Sequence, residues 1–198
     1  MEWGYTLSGL LVGFIVGLTG VGGGSLMTPL LILGFSISPA TAVGTDLLYA
    51  SLTKAGGVWV HGRRGTVDWK LVKRLSIGSL PAALLTLLGL NALGVENQIF
   101  SGLITSTLGI ALILTALALF FRNQLAHLGK SRFSSLATWR DQNIVTATIT
   151  TGAVLGILVT MTSVGAGALG MVALITLYPR APTINLIGSD IAHAVPLT

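Results

Sequence analysis

Two aspartates stand in apolar surroundings that offer a carboxylate little water: Asp46 within Gly44-Thr45-Asp46-Leu47 and Asp190 within Gly188-Ser189-Asp190-Ile191. An unpaired charge inside such a run costs several kcal/mol in a bilayer. A carboxylate kept there can serve as a proton-coupling group that responds to occupancy of an adjacent site. The structural alternative is that each caps a helix start, after the Ser36–Pro39 turn or after Pro182. His193 follows Asp190 by three residues, a spacing that shares a helix face, and is a candidate for a His–Asp proton relay or for a structural hydrogen bond. Glycine supplies the other chemistry. Gly20-Val21-Gly22-Gly23-Gly24-Ser25 has four glycines in its first five positions, and Val164-Gly165-Ala166-Gly167 echoes it. Such a run is a poor helix interior. Where a helix unwinds, backbone N–H and C=O groups are freed, and helix N-termini present partial positive charge. Two breaks that converge can cradle an anion without a lysine or arginine. Gly22, Gly23, Gly24 and Ser25, with Thr45 nearby, are the candidates for one half of that cradle. Gly165, Ala166, Gly167 and Ala168, with Ser189 nearby, are those for the other. Small residues also permit close helix packing, which is the competing explanation.

The elements that must position these groups are membrane helices. Of 198 residues 52% are hydrophobic and 9% charged, whereas soluble domains carry about 25% charged residues. Too little polar surface is present to cover a soluble fold, and lipid is the solvent that requires none. The net charge of +5 does not indicate nucleic-acid binding, because the basic residues are grouped: six lie between Lys54 and Arg74, four between Arg122 and Arg140, and Arg180 stands apart. Short basic loops between apolar runs are positive-inside topology signals. With no cysteine, disulfides and thiolate-ligated metals are excluded. The first apolar run opens with Glu2 and has no basic leader, so it reads as a permanent segment.

Trp3 to Phe35 exceeds one span of about 20 residues and is broken at the glycines, with Pro29 close behind. It reads as two helical pieces meeting at a non-helical junction, or as a re-entrant hairpin. Irregular backbone of that kind persists at membrane depth only when protein or a cavity covers it. Helices are expected near 42–60, 75–90 (with Pro81 as a kink) and 99–121, with a basic surface region at 61–74 and a turn at 91–97. Lys54 reads as an interfacial, snorkelling residue at the end of the second span, with contact to the substrate as its other candidate role, and Trp3, Trp59, Trp69 and Trp139 as interfacial anchors. The organisation is a first membrane repeat over 1–121, a polar basic linker over 122–143 on the cytoplasmic side, and the start of a second repeat over 144–198.

The repeat is visible residue by residue. A shift of 143 positions brings Gly13, Val16 and Thr19 onto Gly156, Val159 and Thr162, and Val21, Gly22 and Gly24 onto Val164, Gly165 and Gly167. One further residue aligns Gly44-Thr45-Asp46-Leu47 with Gly188-Ser189-Asp190-Ile191. Glycine-interrupted apolar segments at corresponding positions point to the binding site of a secondary transporter. Inverted and parallel symmetry both accommodate the two basic loops.

The run Gly13 to Leu26, followed by Pro29, resembles the glycine motif of the TauE/SafE family of sulfite exporters and sulfonate-uptake permeases. The similarity continues through Gly44-Thr45-Asp46-Leu47, Lys54-Ala55-Gly56-Gly57 and His61-Gly62-Arg63-Arg64-Gly65-Thr66-Val67-Asp68-Trp69, and covers essentially the whole chain. The resemblance implies an all-α, polytopic architecture of two repeats with glycine-broken or re-entrant helices. It also implies a chain that stops inside its sixth segment, truncated at the C-terminal side. The family usually has Gly-Thr-Ser where Gly44-Thr45-Asp46 and Gly188-Ser189-Asp190 stand, and Ala166 replaces a central glycine. These departures bear on the substrate more than on the fold.

The expected function is secondary transport of a small anion, with sulfite, sulfonate or a related organosulfur anion implied by the resemblance, and with protons as the coupling partner. The alternative is a membrane scaffold or assembly subunit whose glycines only pack; a channel is disfavoured because no pore-lining polar repeat is visible. No enzyme motif is present: GVGGGS lacks the lysine of a phosphate loop, and HExxH and GxSxG are absent. No metal and no cofactor are expected. The expected location is the cell (inner) membrane, with the lipid bilayer as principal partner.

Overall fold

The computed structural model describes residues 2–19, 22–93, 98–121, 124, 142–165 and 167–198. Every regular element among them is helical. The linker expected over 122–143 and the anchor expected at Trp139 fall almost wholly or wholly outside the described residues, as do Gly20, Val21, Ala166 and residues 94–97 of the expected turn.

Helix α1 (Glu2–Thr19) ends at the glycine motif, as the composition requires. The chain resumes as a single 3-10 turn (Gly23–Ser25), a three-residue helix α2 (Met27–Pro29) and a π-helical stretch (Leu30–Gly34). The first apolar run is thus two helical pieces about a junction. Gly22 has φ 96°, a conformation that a side chain disfavours, and so supplies the break.

Helix α3 (Pro39–Arg63) starts at Ser38, whose hydroxyl accepts from the Thr41 N–H, and carries Pro at its first position. Its 25 residues extend about 37 Å, long enough to span with tilt. At its far end Trp59 is exposed and the Arg63 guanidinium lies 4.0 Å over its ring, an arrangement suited to the headgroup level.

Helix α4 (Trp69–Leu93) begins earlier than hydropathy alone suggests. Asp68 Oδ1 accepts from the N–H groups of Lys70 and Leu71, at 2.9 and 3.2 Å, and so caps a helix whose first turns are amphipathic. Leu71, Val72 and Leu75 are buried while Lys70 and Lys73 are exposed, so the expected surface region 68–74 is largely helix. Pro81 lies inside it without ending it. Helices α5 (Gln98–Phe120) and α6 (Ile144–Thr162) follow the expected pattern closely. Helix α7 (Ala168–Leu177) covers only about 15 Å, and α8 (Thr183–Ala194) starts after Pro182.

Three described helices are long and apolar enough to cross a membrane: Trp69–Ala92, Ser101–Phe120 and Ile144–Thr162. Leu84, Leu85, Leu87 and Leu88 on α4 and Ile110, Ile113 and Phe120 on α5 face outward, a surface that water would penalise and lipid does not. The chain is an all-α, multi-pass membrane protein.

The tightest packing joins α4 to α6. A Cβ on Gly78 would collide with the Ile149 carbonyl, one on Gly152 with that of Leu75, and one on Gly156 with that of Ser79. The two backbones approach as closely as small residues allow, since dispersion rather than a hydrophobic drive holds helices together in lipid. Leu71, Leu75, Leu174 and Leu186 then form a core shared by α4, α7 and α8.

Candidate functional site

The second interruption is built differently from the first. Helix α6 terminates at Ser163, which adopts the left-handed conformation (φ 58°) and returns its N–H to Val159 O. Gly165 (φ 128°) and Gly167 (φ 142°) then turn the chain into α7. Gly165 O accepts from the N–H of Gly170, tying the break to the first turn of α7. Glycine is needed at both positions for backbone reasons, whatever else the segment does.

The two interruptions meet. The backbone of Gly24 is pressed against the carbonyl of Ser163, with no room for a Cβ between them. Each interruption also faces one aspartate. The point that a Cβ of Gly24 would occupy is 3.1 Å from Asp46 Oδ2, and that of Gly23 is 3.5 Å from Oδ1. A Cβ on Gly170, one turn beyond the second break, would run into Asp190 Oδ1.

Neither aspartate is a cap. Ser38 caps α3, leaving Asp46 in the interior of that helix, and Pro182 occupies the cap position of α8. Asp46 is 2% exposed, and its Oδ2 accepts a 2.9 Å hydrogen bond from Thr28 Oγ1, across from the short helix α2. The Ser163 hydroxyl is near enough to the Asp46 carboxylate to interact with it electrostatically, yet forms no hydrogen bond of ordinary length. Asp190 is 6% exposed, and its Oδ1 has no hydrogen-bond partner.

Lys54 is the counter-charge. It sits within α3 and interacts electrostatically with both Asp46 and Asp190. The helix runs on for nine residues beyond Lys54 to Arg63, so Lys54 lies within the helix and not at its end.

A cavity of about 710 Å³ opens between α1 and α3 beside the first break. Gly9, Gly13 and Gly17 line it from α1, and Thr45, Asp46, Tyr49, Thr53 and Lys54 from α3, with Gly22 and Gly23 at its edge. The α1 glycines touch nothing within 4 Å of where a Cβ would stand, so here small residues leave space and do not form a helix contact.

Other candidates lie elsewhere. Ser25 Oγ donates to Gly22 O and closes its own turn. Ser189 Oγ donates to Asn185 O and accepts from Asp68 N–H, pinning α8 to the start of α4, and so is committed to structure and away from the cavity. His193 is 1% exposed and pairs through Nε2 with Ser79 Oγ at 2.8 Å, while its Nδ1 has no partner; no hydrogen bond joins it to Asp190. Ser163 and Thr28 were not singled out by the sequence. Ser163 follows the end of an unbroken apolar helix, and Thr28 is one of many threonines that usually bond their own helix backbone. Among the described residues no group of three or more His, Cys, Asp or Glu is placed to hold a metal.

Comparison with known proteins bears on this site. The family model described as "Sulfite exporter TauE/SafE" matches residues 5–198. "Probable membrane transporter protein YjnA" of Bacillus subtilis is 43% identical over 188 residues, covering 95% of this chain and 72% of that protein. A "Probable membrane transporter protein" of Xylella fastidiosa is 30% identical over 193 residues, covering 93% of this chain and 66% of its own length. This chain spans just under two thirds of that second relative. No solved structure matches it.

Proposed function

The chain belongs to the TauE/SafE sulfite exporter family, a membrane transporter family, and from that premise we propose that it carries a small anion of the sulfite or sulfonate kind, driven by coupled movement of a cation. The observation that carries this reading is the placement of Lys54. It is the one ammonium among the described residues lining the cavity, and it interacts electrostatically with Asp46 and Asp190, which face the two glycine breaks. An anion entering between α1 and α3 meets that ammonium together with the hydroxyls of Thr45, Tyr49 and Thr53. Charge-assisted hydrogen bonds of this type suit a small oxyanion.

Coupling follows from competition. While both carboxylates are ionised they hold Lys54, and neutralising one of them releases the ammonium to the anion. Asp46 is the proposed coupling carboxylate because it lines the cavity and touches the first break. The backbone supports two repeats, over 1–121 and from 144 onward. Gly22 and Gly165, which the repeat shift superposes, both take positive φ, and each aspartate faces the break on its own side of the linker. Breaks of this kind, set at corresponding positions, are where secondary transporters place substrate and ions.

The test is flux of radiolabelled sulfite into proteoliposomes, with a sulfonate as competitor and an imposed cation or pH gradient. Saturable, gradient-driven uptake is expected, and Asp46→Asn should remove its dependence on the gradient. Folded protein that moves neither ligand would overturn the reading and favour a scaffold role or another solute.

A further inference from the structure

We propose that Asp46, Thr28 and Ser163 form a binding site for a monovalent metal cation of the sodium type, set where the C-terminus of α6 meets the broken first segment. Every donor there is oxygen. Thr28 Oγ1 and Asp46 Oδ2 are 2.9 Å apart. The backbone of Gly24 is bordered both by Asp46 Oδ2 and by the carbonyl of Ser163. Ser163 contributes a second oxygen: its hydroxyl is buried close to the Asp46 carboxylate but reaches no group at ordinary hydrogen-bond geometry. A buried hydroxyl left in that state is costly, and a ligand that accepts its lone pairs resolves the cost.

The charge at this point is negative from two directions. Helix α6 ends at Thr162, and the carbonyl of Ser163 just beyond it borders Gly24 together with the Asp46 carboxylate, so the partial negative end of the helix lies close to that carboxylate. An anion is therefore disfavoured at this position. Lys54 does not complete the neutralisation, because it is shared with Asp190. His193 is engaged with Ser79 and bonds neither carboxylate. With both acids ionised, two carboxylates facing one ammonium leave room for one further positive charge in a medium that penalises net charge.

The donor set selects the class of cation. Carboxylate, hydroxyl and carbonyl oxygens suit hard ions and disfavour transition metals that seek nitrogen or sulfur. A divalent ion such as calcium takes six to eight oxygens, commonly from several carboxylates; one carboxylate with neutral oxygens matches a monovalent ion. Unwound backbone and a half-helix C-terminus are also the groups with which secondary transporters hold coupling ions.

This inference deepens the transport reading by naming the coupling ion, and it is tested by binding alone, so that loss of flux and loss of cation binding are separate results. Purified protein in detergent is titrated with sodium chloride against choline chloride at constant ionic strength, and thermal unfolding is followed. Sodium should raise the midpoint by about 2–4 °C over choline, and radioactive sodium should bind saturably to the same preparation. Ser163→Ala and Thr28→Val should each weaken sodium binding by about tenfold, a loss typical of one ligand, whereas Thr105→Val, on the exposed face of α5, should not. Equal midpoints in sodium and choline, with no saturable sodium binding to the wild-type protein, would overturn the proposal even if a variant fails to fold. Stabilisation by acid pH in place of sodium would also overturn it and identify the proton as the ion.

Discussion

Gly24 lies against the carbonyl of Ser163, 139 positions later in the chain, with no space for even a methyl group between them. That contact holds the two glycine breaks together and brings the end of α6 to the carboxylate of Asp46. Its consequences can be tested at single residues.

Gly24→Ala places a Cβ onto backbone, which cannot move aside as a flexible side chain can. A loss of about 1–3 kcal/mol is expected from overpacking of this kind, together with loss of flux. Gly56→Ala is the control: it lies on an exposed part of α3 with nothing within 4 Å, and should be neutral or stabilising. Thermal unfolding of both variants in detergent decides the matter, and equal midpoints would remove the contact from the account.

Gly152→Val should prevent α4 and α6 from docking, because the added carbons meet the Leu75 carbonyl. The expected outcome is poorly folded protein, read as loss of the monodisperse peak in size-exclusion chromatography. A well-behaved variant would mean that the helices can separate without consequence.

Removing Lys54 leaves buried carboxylates without their ammonium. Breaking a buried ion pair from one side costs about 3–5 kcal/mol, so Lys54→Met should be strongly destabilised. Lys54→Met combined with Asp190→Asn should recover much of that stability while transport stays lost. If the double variant is no more stable than the single, Lys54 and Asp190 are not partners.

Ser79 and His193 are expected to behave as one unit. Ser79→Ala leaves a buried imidazole nitrogen unsatisfied, at about 1–3 kcal/mol, and His193→Gln should do much the same. In a double-mutant cycle the two losses should fall well short of additive. Full additivity would show that the 2.8 Å hydrogen bond contributes nothing.

Much of the architecture was legible in residue types. Charge depletion places the chain in lipid, and four glycines in five positions end a helix wherever they fall, because the cost is local to the backbone. The start of α4 was legible in principle, since Asp68 before Trp69 is a cap signal, but hydropathy placed the helix later because Lys70, Lys73 and Arg74 mask its buried face. The site was legible only in part. Asp46, Gly22, Gly23 and Thr45 line the cavity and Gly24 adjoins the break, whereas Ser189 accepts from the Asp68 N–H on the side of α4.

What one-dimensional reasoning could settle, then, are properties that depend on a residue and its neighbours along the chain: solvent class, helix length, caps and breaks. What the tertiary structure decided are pairings between distant segments. Lys54 looked interfacial because its run of sequence ends in a basic loop; it comes near enough to Asp190 to interact electrostatically because α8 packs against α3. Ser163 carried no signal of its own, and stands beside Asp46 only because the end of α6 meets Gly24. Electrostatic interaction in a low-dielectric interior depends on separation in space, and separation along the chain does not encode it.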